Sequence, residues 1–154
     1  MDAYERAVAI ARQSGNRFWE TLVIPKVAAL QARSGDPIGA LRSFLDTVNS
    51  WHQSTDLMFV SHGLGGLIVL FDRLGHATAA ATLNGALTAM IESTAFLHEL
   101  SDAIVRVRRV LGDAAFDDAA RRGAAMAFSE VVNYASDQVL RALATLGADT
   151  IEHI

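Results

Sequence analysis

Cysteine is absent from this chain, and proline and long apolar runs are scarce. Without cysteine the protein has neither disulfides nor thiol chemistry. Proline occurs only at positions 25 and 37, so nearly the whole chain is open to helix formation. The most apolar run, Leu64 to Phe71, is too short to span a bilayer, and the residues after Met1 lack the basic and apolar regions of a signal peptide. We therefore expect a cytoplasmic protein with no membrane segment.

Charged residues are also few, at 19% of the 154 residues, and the formal net charge is −4. A negative balance argues against non-specific binding to nucleic acid, which depends on neutralising phosphates. Glu130 and Asp137 further oppose DNA binding by the last helix. The hydrophobic content of 51% is ample for the core of one domain, and its excess indicates further buried surface, such as a face shared with a second copy.

What the first half does contain is a regular series of helix-stop signals, each about twenty residues from the next. A helix, a short turn and another helix at this spacing are typical of helical-repeat arrays. We predict an all-α fold of antiparallel helical hairpins in a short, right-handed, TPR-like array of about seven or eight helices. The single domain would cover 1–154, with regular hairpins over 1–75 and irregular helices over 76–154. The four signals are Ser14-Gly15-Asn16, Ser34-Gly35-Asp36-Pro37, Ser54-Thr55-Asp56 and Leu74-Gly75-His76.

Apolar periodicity and capping residues predict the individual helices, and no segment has a strand pattern of any weight. The helix from His76 either breaks near residues 91–93 or continues to Leu100. In the first half, the first predicted helix covers 2–14, the second starts at Asn16 with a kink at Pro25, the third starts at Asp36-Pro37, and the fourth runs from Thr55 or Asp56 to about Leu74. In the second half, the fifth starts at His76 and the sixth is capped by Ser101-Asp102. The seventh runs from Asp113 to Arg122 and stops at Gly123, and the last is capped by Ser129.

Three glycines, Gly63, Gly65 and Gly66, fall inside the fourth predicted helix. Each costs roughly 1 kcal/mol relative to alanine, so we expect a compensating contact. Close approach of a neighbouring helix is the favoured explanation, and a small ligand against the backbone is the alternative. Known motifs do not fit the cluster, because glycine stands where a nucleophile elbow has serine and no lysine follows to form a phosphate loop.

Two groups of side chains are candidates for binding. Core packing explains the aromatic residues around the glycine cluster, but they could also line a groove for a ligand or partner. The groove candidates are Trp19, Trp51, Phe59, His62, Gly63, Gly65 and Gly66. A second candidate is a patch for an anionic partner, formed by Arg106, Arg108 and Arg109, for which the alternative is a solvated helix face. The five histidines are too scattered for a helical metal site.

Three stretches resemble a known family. Leu111 to Ala135 resembles a tail that reads L-G-x-x-A-F-x-x-A-x-x-x-G before a capped helix, here with Glu130 and Val131. Ser34 to Phe44 is similar to a G-D-P-x-x-A-L hairpin turn, and Arg73 to Leu87 is similar to R-L-G-x-x-x-x-A-A-x-L-x-G-A. These motifs resemble the C-terminal, TPR-like repeats of the AfsR/LuxR-type signal-transduction ATPases of actinobacteria, in which a P-loop ATPase precedes the repeats.

The resemblance implies a non-catalytic regulatory, sensor or protein-interaction module, part or relative of a larger transcriptional regulator. Its partner would be another protein or a second copy of the chain. No catalytic, metal or nucleotide motif is present, so we expect no enzymatic activity and no cofactor. A small-molecule site near Trp51, Phe59, His62 and Gly63 is the alternative.

Overall fold

The computed structural model describes residues 6, 9–10, 12–15, 23, 31, 34–54, 56–94 and 98–152. Regular structure in these residues is entirely helical, which confirms the all-α class. The two helices predicted before Ser34, with the kink at Pro25, lie mostly outside the described residues. Six α-helices are described: α1 (Pro37–Ser50), α2 (Leu57–Arg73), α3 (Ala77–Met90), α4 (His98–Leu111), α5 (Asp113–Ala124) and α6 (Phe128–Glu152), with a 3-10 turn at Trp51–Gln53 between α1 and α2.

The stop signals of the first half mark real helix boundaries. The Asp36 carboxylate accepts a hydrogen bond from the Gly39 N–H at 2.8 Å, with Pro37 in the first helical position of α1. The Asp56 carboxylate caps α2 by accepting from the N–H groups of Met58 and Phe59 at 3.0 and 3.2 Å. Both predicted starts are confirmed, and Asp56 rather than Thr55 is the cap.

Gly75 ends α2 in the geometry that favours glycine. Its φ of 79° is left-handed, a region that other residues adopt at a cost. The His76 N–H donates to the Phe71 carbonyl at 2.9 Å, and the Gly75 N–H donates to the Asp72 carbonyl at 3.2 Å. These two bonds form a Schellman motif, which satisfies the last carbonyls of α2 and turns the chain directly into α3.

The predicted boundaries are less accurate in the second half. The predicted break near residues 91–93 is confirmed, because α3 ends at Met90. The cap at Ser101-Asp102 is wrong, since α4 begins three residues earlier at His98. The cap at Ser129 is also wrong. The last helix starts after Ala127, whose N–H donates to the Glu130 carboxylate at 2.7 Å, which is one half of a capping box.

Helix α3 is the centre of the fold, and it packs against α2, α4, α5 and α6. Most of its side chains are small, and buried residues occur on all sides of the helix, as expected for a helix that other helices enclose. Helix α1 packs chiefly against α6, so the first and last of the six helices are in contact. In a linear array each helix contacts mainly its sequence neighbours. The predicted TPR-like array is therefore not confirmed.

Helices α3 and α5 cross in close contact at two glycines, one on each helix, and each glycine faces the backbone of the other helix. A Cβ atom on Gly85 of α3 would overlap the carbonyl oxygen of Ala120 in α5. A Cβ atom on Gly123 of α5 would overlap the carbonyl oxygen of Thr82 in α3. Gly123 is therefore a contact point in the last turn of α5, which ends at Ala124, two residues beyond the predicted end at Arg122.

None of the helices in the described part of the chain is long and apolar enough to cross a membrane.

Candidate functional site

The indole ring of Trp51 lies directly on the backbone of α2 at Gly63. Trp51 belongs to the 3-10 turn that follows α1, and it is fully buried. A Cβ atom on Gly63 would overlap Cζ2 of the ring, and Cε2 lies 3.2 Å from the same position. The expected compensating contact at Gly63 therefore exists, but an aromatic side chain makes it and not a neighbouring helix. Close packing of the ring offsets part of the free energy that a glycine costs inside a helix.

The buried indole N–H of Trp51 has no hydrogen-bond acceptor. It is the single buried side-chain nitrogen or oxygen without a partner in the described part of the structure. The buried hydroxyls of Thr47, Ser61 and Thr82 each donate to the carbonyl four residues earlier in their own helix. An unpaired buried donor costs about 1–3 kcal/mol. The indole N–H of Trp51 is thus the one buried side-chain polar group in the described core that has no hydrogen bond.

The other groove candidates lie along α2 and are mostly enclosed. Gly65 is buried, and Phe59, His62 and Gly66 are half-buried. The Nδ1 atom of His62 is 3.0 Å from the Met58 carbonyl, so this nitrogen carries the proton and donates back to its own helix. Trp19 lies outside the described residues. The structure therefore joins Trp51 to Gly63, but it buries the indole edge that would have lined a groove.

Two large apolar side chains at the start of α2 face solvent. Leu57 is 51% exposed and Met58 is 56% exposed, directly after the Asp56 cap. The sequence does not single them out, because apolar residues at the start of this helix are equally compatible with burial in the core. They precede Phe59 directly, and Met58 lies four residues before His62, on the same face of the helix. Together these four residues, Leu57, Met58, Phe59 and His62, form what we call the α2 edge.

The predicted arginine patch is largely neutralised within the molecule. Nε and Nη2 of Arg106 lie 2.8 and 2.7 Å from one carboxylate oxygen of Asp72, whose side chain is nearly buried. Arg108 contacts the carboxylates of Asp113 and Asp117 at 3.0 Å each. Its guanidinium also lies 4.1 Å from the centre of the Phe116 ring.

The hydrogen bond to Asp113 raises the pKa of Arg108, and the nearby charge of Asp117 acts in the same direction. Arg108 is therefore held as a cation that joins α4 to α5 across Gly112. Of the three predicted arginines only Arg109 is exposed with no ion pair to a described residue. The structure therefore does not bring the three guanidinium groups together into one anion-binding site.

A metal centre has no basis in the described residues, among which no three histidine, aspartate or glutamate side chains come together. The features that could bind something are the unpaired indole N–H of Trp51, the exposed α2 edge and the outer face of α4 around Arg109. Comparison of the chain with protein-family models, with curated proteins and with solved structures found no match.

Proposed function

We propose that the chain is a non-catalytic regulatory or protein-interaction module. In this proposal it belongs to the TPR-like helical class and acts in the cytoplasm, as part or relative of a larger signal-transduction ATPase regulator. The sequence motifs of Ser34 to Phe44, Arg73 to Leu87 and Leu111 to Ala135 support the proposal. The short connection of α2 and α3 through Gly75 also supports it, because two packed helices joined by three residues form a helical hairpin.

The α2 edge is the observation that carries the interaction function. Two adjacent large apolar side chains, each more than half exposed, gain free energy when a partner covers them. His62 adds a polar group beside them, which would fix orientation more than affinity. A protein partner with an apolar ridge fits this surface better than an anion does, because no cation belongs to the α2 edge.

Site-specific photo-crosslinking tests the interaction function. A benzophenone amino acid at position 58 in the full chain, expressed in cells, should form one discrete crosslinked product that mass spectrometry identifies as a single protein. Changing Leu57→Ser in the same chain should reduce that product, because it removes an exposed apolar side chain that the partner would cover.

The matched control places the crosslinker at Ala114, which is exposed on α5. If positions 58 and 114 yield the same set of products, the contact is nonspecific and the α2 edge is not a partner surface. A nucleotide-hydrolysing or other enzymatic activity that persists in the purified chain would contradict the non-catalytic part of the proposal.

A second candidate function is binding of a small molecule at Trp51. The unpaired indole N–H favours it, because an acceptor atom on a ligand would satisfy the one buried donor that the described fold leaves unpaired. In this case the ligand would be largely apolar, since Val48, Val60 and Leu64 nearby in sequence are fully buried.

Nuclear magnetic resonance can detect such a ligand directly. The chain has two tryptophans, so its nitrogen–proton spectrum contains two indole signals, and Trp51→Phe identifies one of them. A fragment library screened against the labelled protein should then shift the Trp51 indole signal downfield. If that signal stays unchanged while Trp51→Phe keeps the fold, the small-molecule function is excluded for this position.

A further inference from the structure

The outer face of α4 carries one acidic and one basic residue on the two sides of an exposed valine. The inner face of α4 is buried through Leu100, Ala103 and Val107. Asp102, Val105 and Arg109 have the spacing i, i+3 and i+7, which places them together on the opposite face. All three are exposed, and Val105 is 57% exposed. This triplet is called the α4 crest below.

The two charges of the α4 crest have no ion pair to any described residue, although most of their neighbours do. Arg106 is held by Asp72, and Arg108 is held by Asp113 and Asp117. Asp102 and Arg109 are seven residues apart, about 10 Å along the helix axis, so they do not reach each other. Each therefore needs a partner from outside the described chain if it is to be paired.

A similar pair on α6 differs in one decisive respect. Asp137 and Arg141 are both exposed and likewise lack an ion pair to a described residue. They are four residues apart, however, and an acidic and a basic side chain at this spacing can pair along their own helix. The α6 charges can therefore pair within their own helix, whereas Asp102 and Arg109 are too far apart to pair with each other.

We propose that the α4 crest is the contact surface of a homodimer, which rests on the proposed interaction function and names the second copy as a partner. Two α4 helices packed antiparallel about a twofold axis would place Asp102 against the partner's Arg109 and Arg109 against the partner's Asp102. Val105 and the partner's Val105 would then meet beside the axis. A twofold interface requires such self-complementarity, in which each surface carries both halves of every pair.

The dimer is in exchange with the monomer. Exposed ion pairs contribute little to affinity, and they mainly fix partner choice and orientation. A single pair of helices also covers less than the roughly 1,600 Å² of a standard interface. We therefore expect association at micromolar to millimolar protein concentrations, and weaker association at high salt because the charges are exposed.

Sedimentation equilibrium of the full chain with charge-reversal variants tests the α4 crest. Asp102→Arg places two cations opposite each other at both ends of the contact, and Arg109→Asp places two anions there. Each variant alone should raise the dissociation constant of the dimer about tenfold or more. An equimolar mixture of the two should form a heterodimer as tight as the wild-type homodimer, because every contact becomes complementary again.

The double variant D102R/R109D should likewise dimerise as the wild type does, because reversing both charges preserves the pattern. The control variants are Asp137→Arg and Arg141→Asp on α6, each of which should leave the dissociation constant unchanged. Circular dichroism and thermal unfolding confirm that each variant is folded, since all four side chains are exposed.

Three results would overturn the proposal: a wild-type chain that stays monomeric at millimolar concentration, a dimer that the α4 reversals leave intact, and a mixture that fails to associate. A monomeric chain that still crosslinks to one protein through position 58 would overturn the homodimer and leave the interaction function standing. A dimer with the expected charge pattern and no specific product at position 58 would leave the α4 crest standing and remove the α2 edge.

Discussion

Two of the places where glycine allows a close contact in the described residues differ in what lies opposite. At the α3–α5 crossing, Gly85 and Gly123 each face a backbone carbonyl of the other helix. Within α2, Gly63 faces the indole ring of Trp51. A carbonyl belongs to a hydrogen-bonded helix and moves only with that helix, whereas a side chain can move by rotation about its own bonds. The same chemical change, hydrogen to methyl, should therefore have different consequences at the two places.

The largest effect is expected at the α3–α5 crossing. Gly123→Ala forces the two helices apart, and we expect a loss of about 3 kcal/mol in the free energy of unfolding. Gly85→Ala should have a similar effect, because it meets Ala120 in the same way. Urea unfolding followed by circular dichroism measures both. A loss below about 1 kcal/mol at both positions would mean that the helices separate easily and that the backbone contact is unimportant.

A smaller effect is expected at Gly63. Gly63→Ala should cost about 1–2 kcal/mol, because the ring of Trp51 has to shift within a packed core. Trp51→Phe removes the part of the ring that lies over Gly63, so the double variant should be more stable than the sum of the single effects predicts. Strictly additive effects in urea unfolding would show that the two residues do not share the contact.

Substitution of Gly75 measures the cost of backbone strain alone, because there is no crowding at this position among the described residues. A Cβ built on Gly75 would meet no atom of the described residues within 4 Å, its chain neighbours apart, but the φ of Gly75 is 79°. Gly75→Ala should cost about 1 kcal/mol through conformation alone, and Gly75→Asn should cost less, because asparagine tolerates the left-handed region better. Equal losses for the two variants, measured by thermal unfolding, would contradict this explanation.

The smallest effect, and the one opposite in sign, is expected at Gly147 in α6. This glycine has ordinary helical geometry, and a Cβ there would meet nothing within 4 Å. Gly147→Ala should therefore stabilise the protein by about 0.5–1 kcal/mol through helix propensity. It is the matched control for Gly85 and Gly123, because all three changes are identical and only the surroundings differ. Destabilisation at Gly147 would mean that the surroundings are not the cause.

Local signals in the sequence predicted the helix boundaries where one residue determines the local geometry. Asp36 and Asp56 cap because their carboxylates reach the next amides, and Gly75 stops α2 because it adopts a left-handed φ. The same reasoning fails at Gly123, which was predicted to stop α5 but is a contact point with α3. A glycine that ends a helix and a glycine that allows two helices to touch are identical in sequence, and only the position of α3 distinguishes them.

The candidate sites depended on contacts between distant residues, and these were harder to predict. Asp102 lies four residues before Arg106, a spacing at which the two side chains can pair along one helix, but in the structure Arg106 pairs with Asp72 on α2. That exchange leaves Asp102 unpaired and gives the α4 crest its charge pattern. Trp51 and Gly63 were predicted to line one groove, but in the structure the fully buried indole packs on Gly63. That burial depends on chain segments whose positions periodicity does not give.

The contact between α1 and α6 has a consequence for the order of folding. The turn at Gly75 brings α2 and α3 together after closing a loop of only a few residues, whereas α1 meets α6 only when most of the described chain has already been gathered. The entropy of loop closure grows with the length of the loop, so the α2–α3 pair forms early and the α1–α6 contact forms late. The last helix that the structure describes is thus needed to cover the first one that it describes in full.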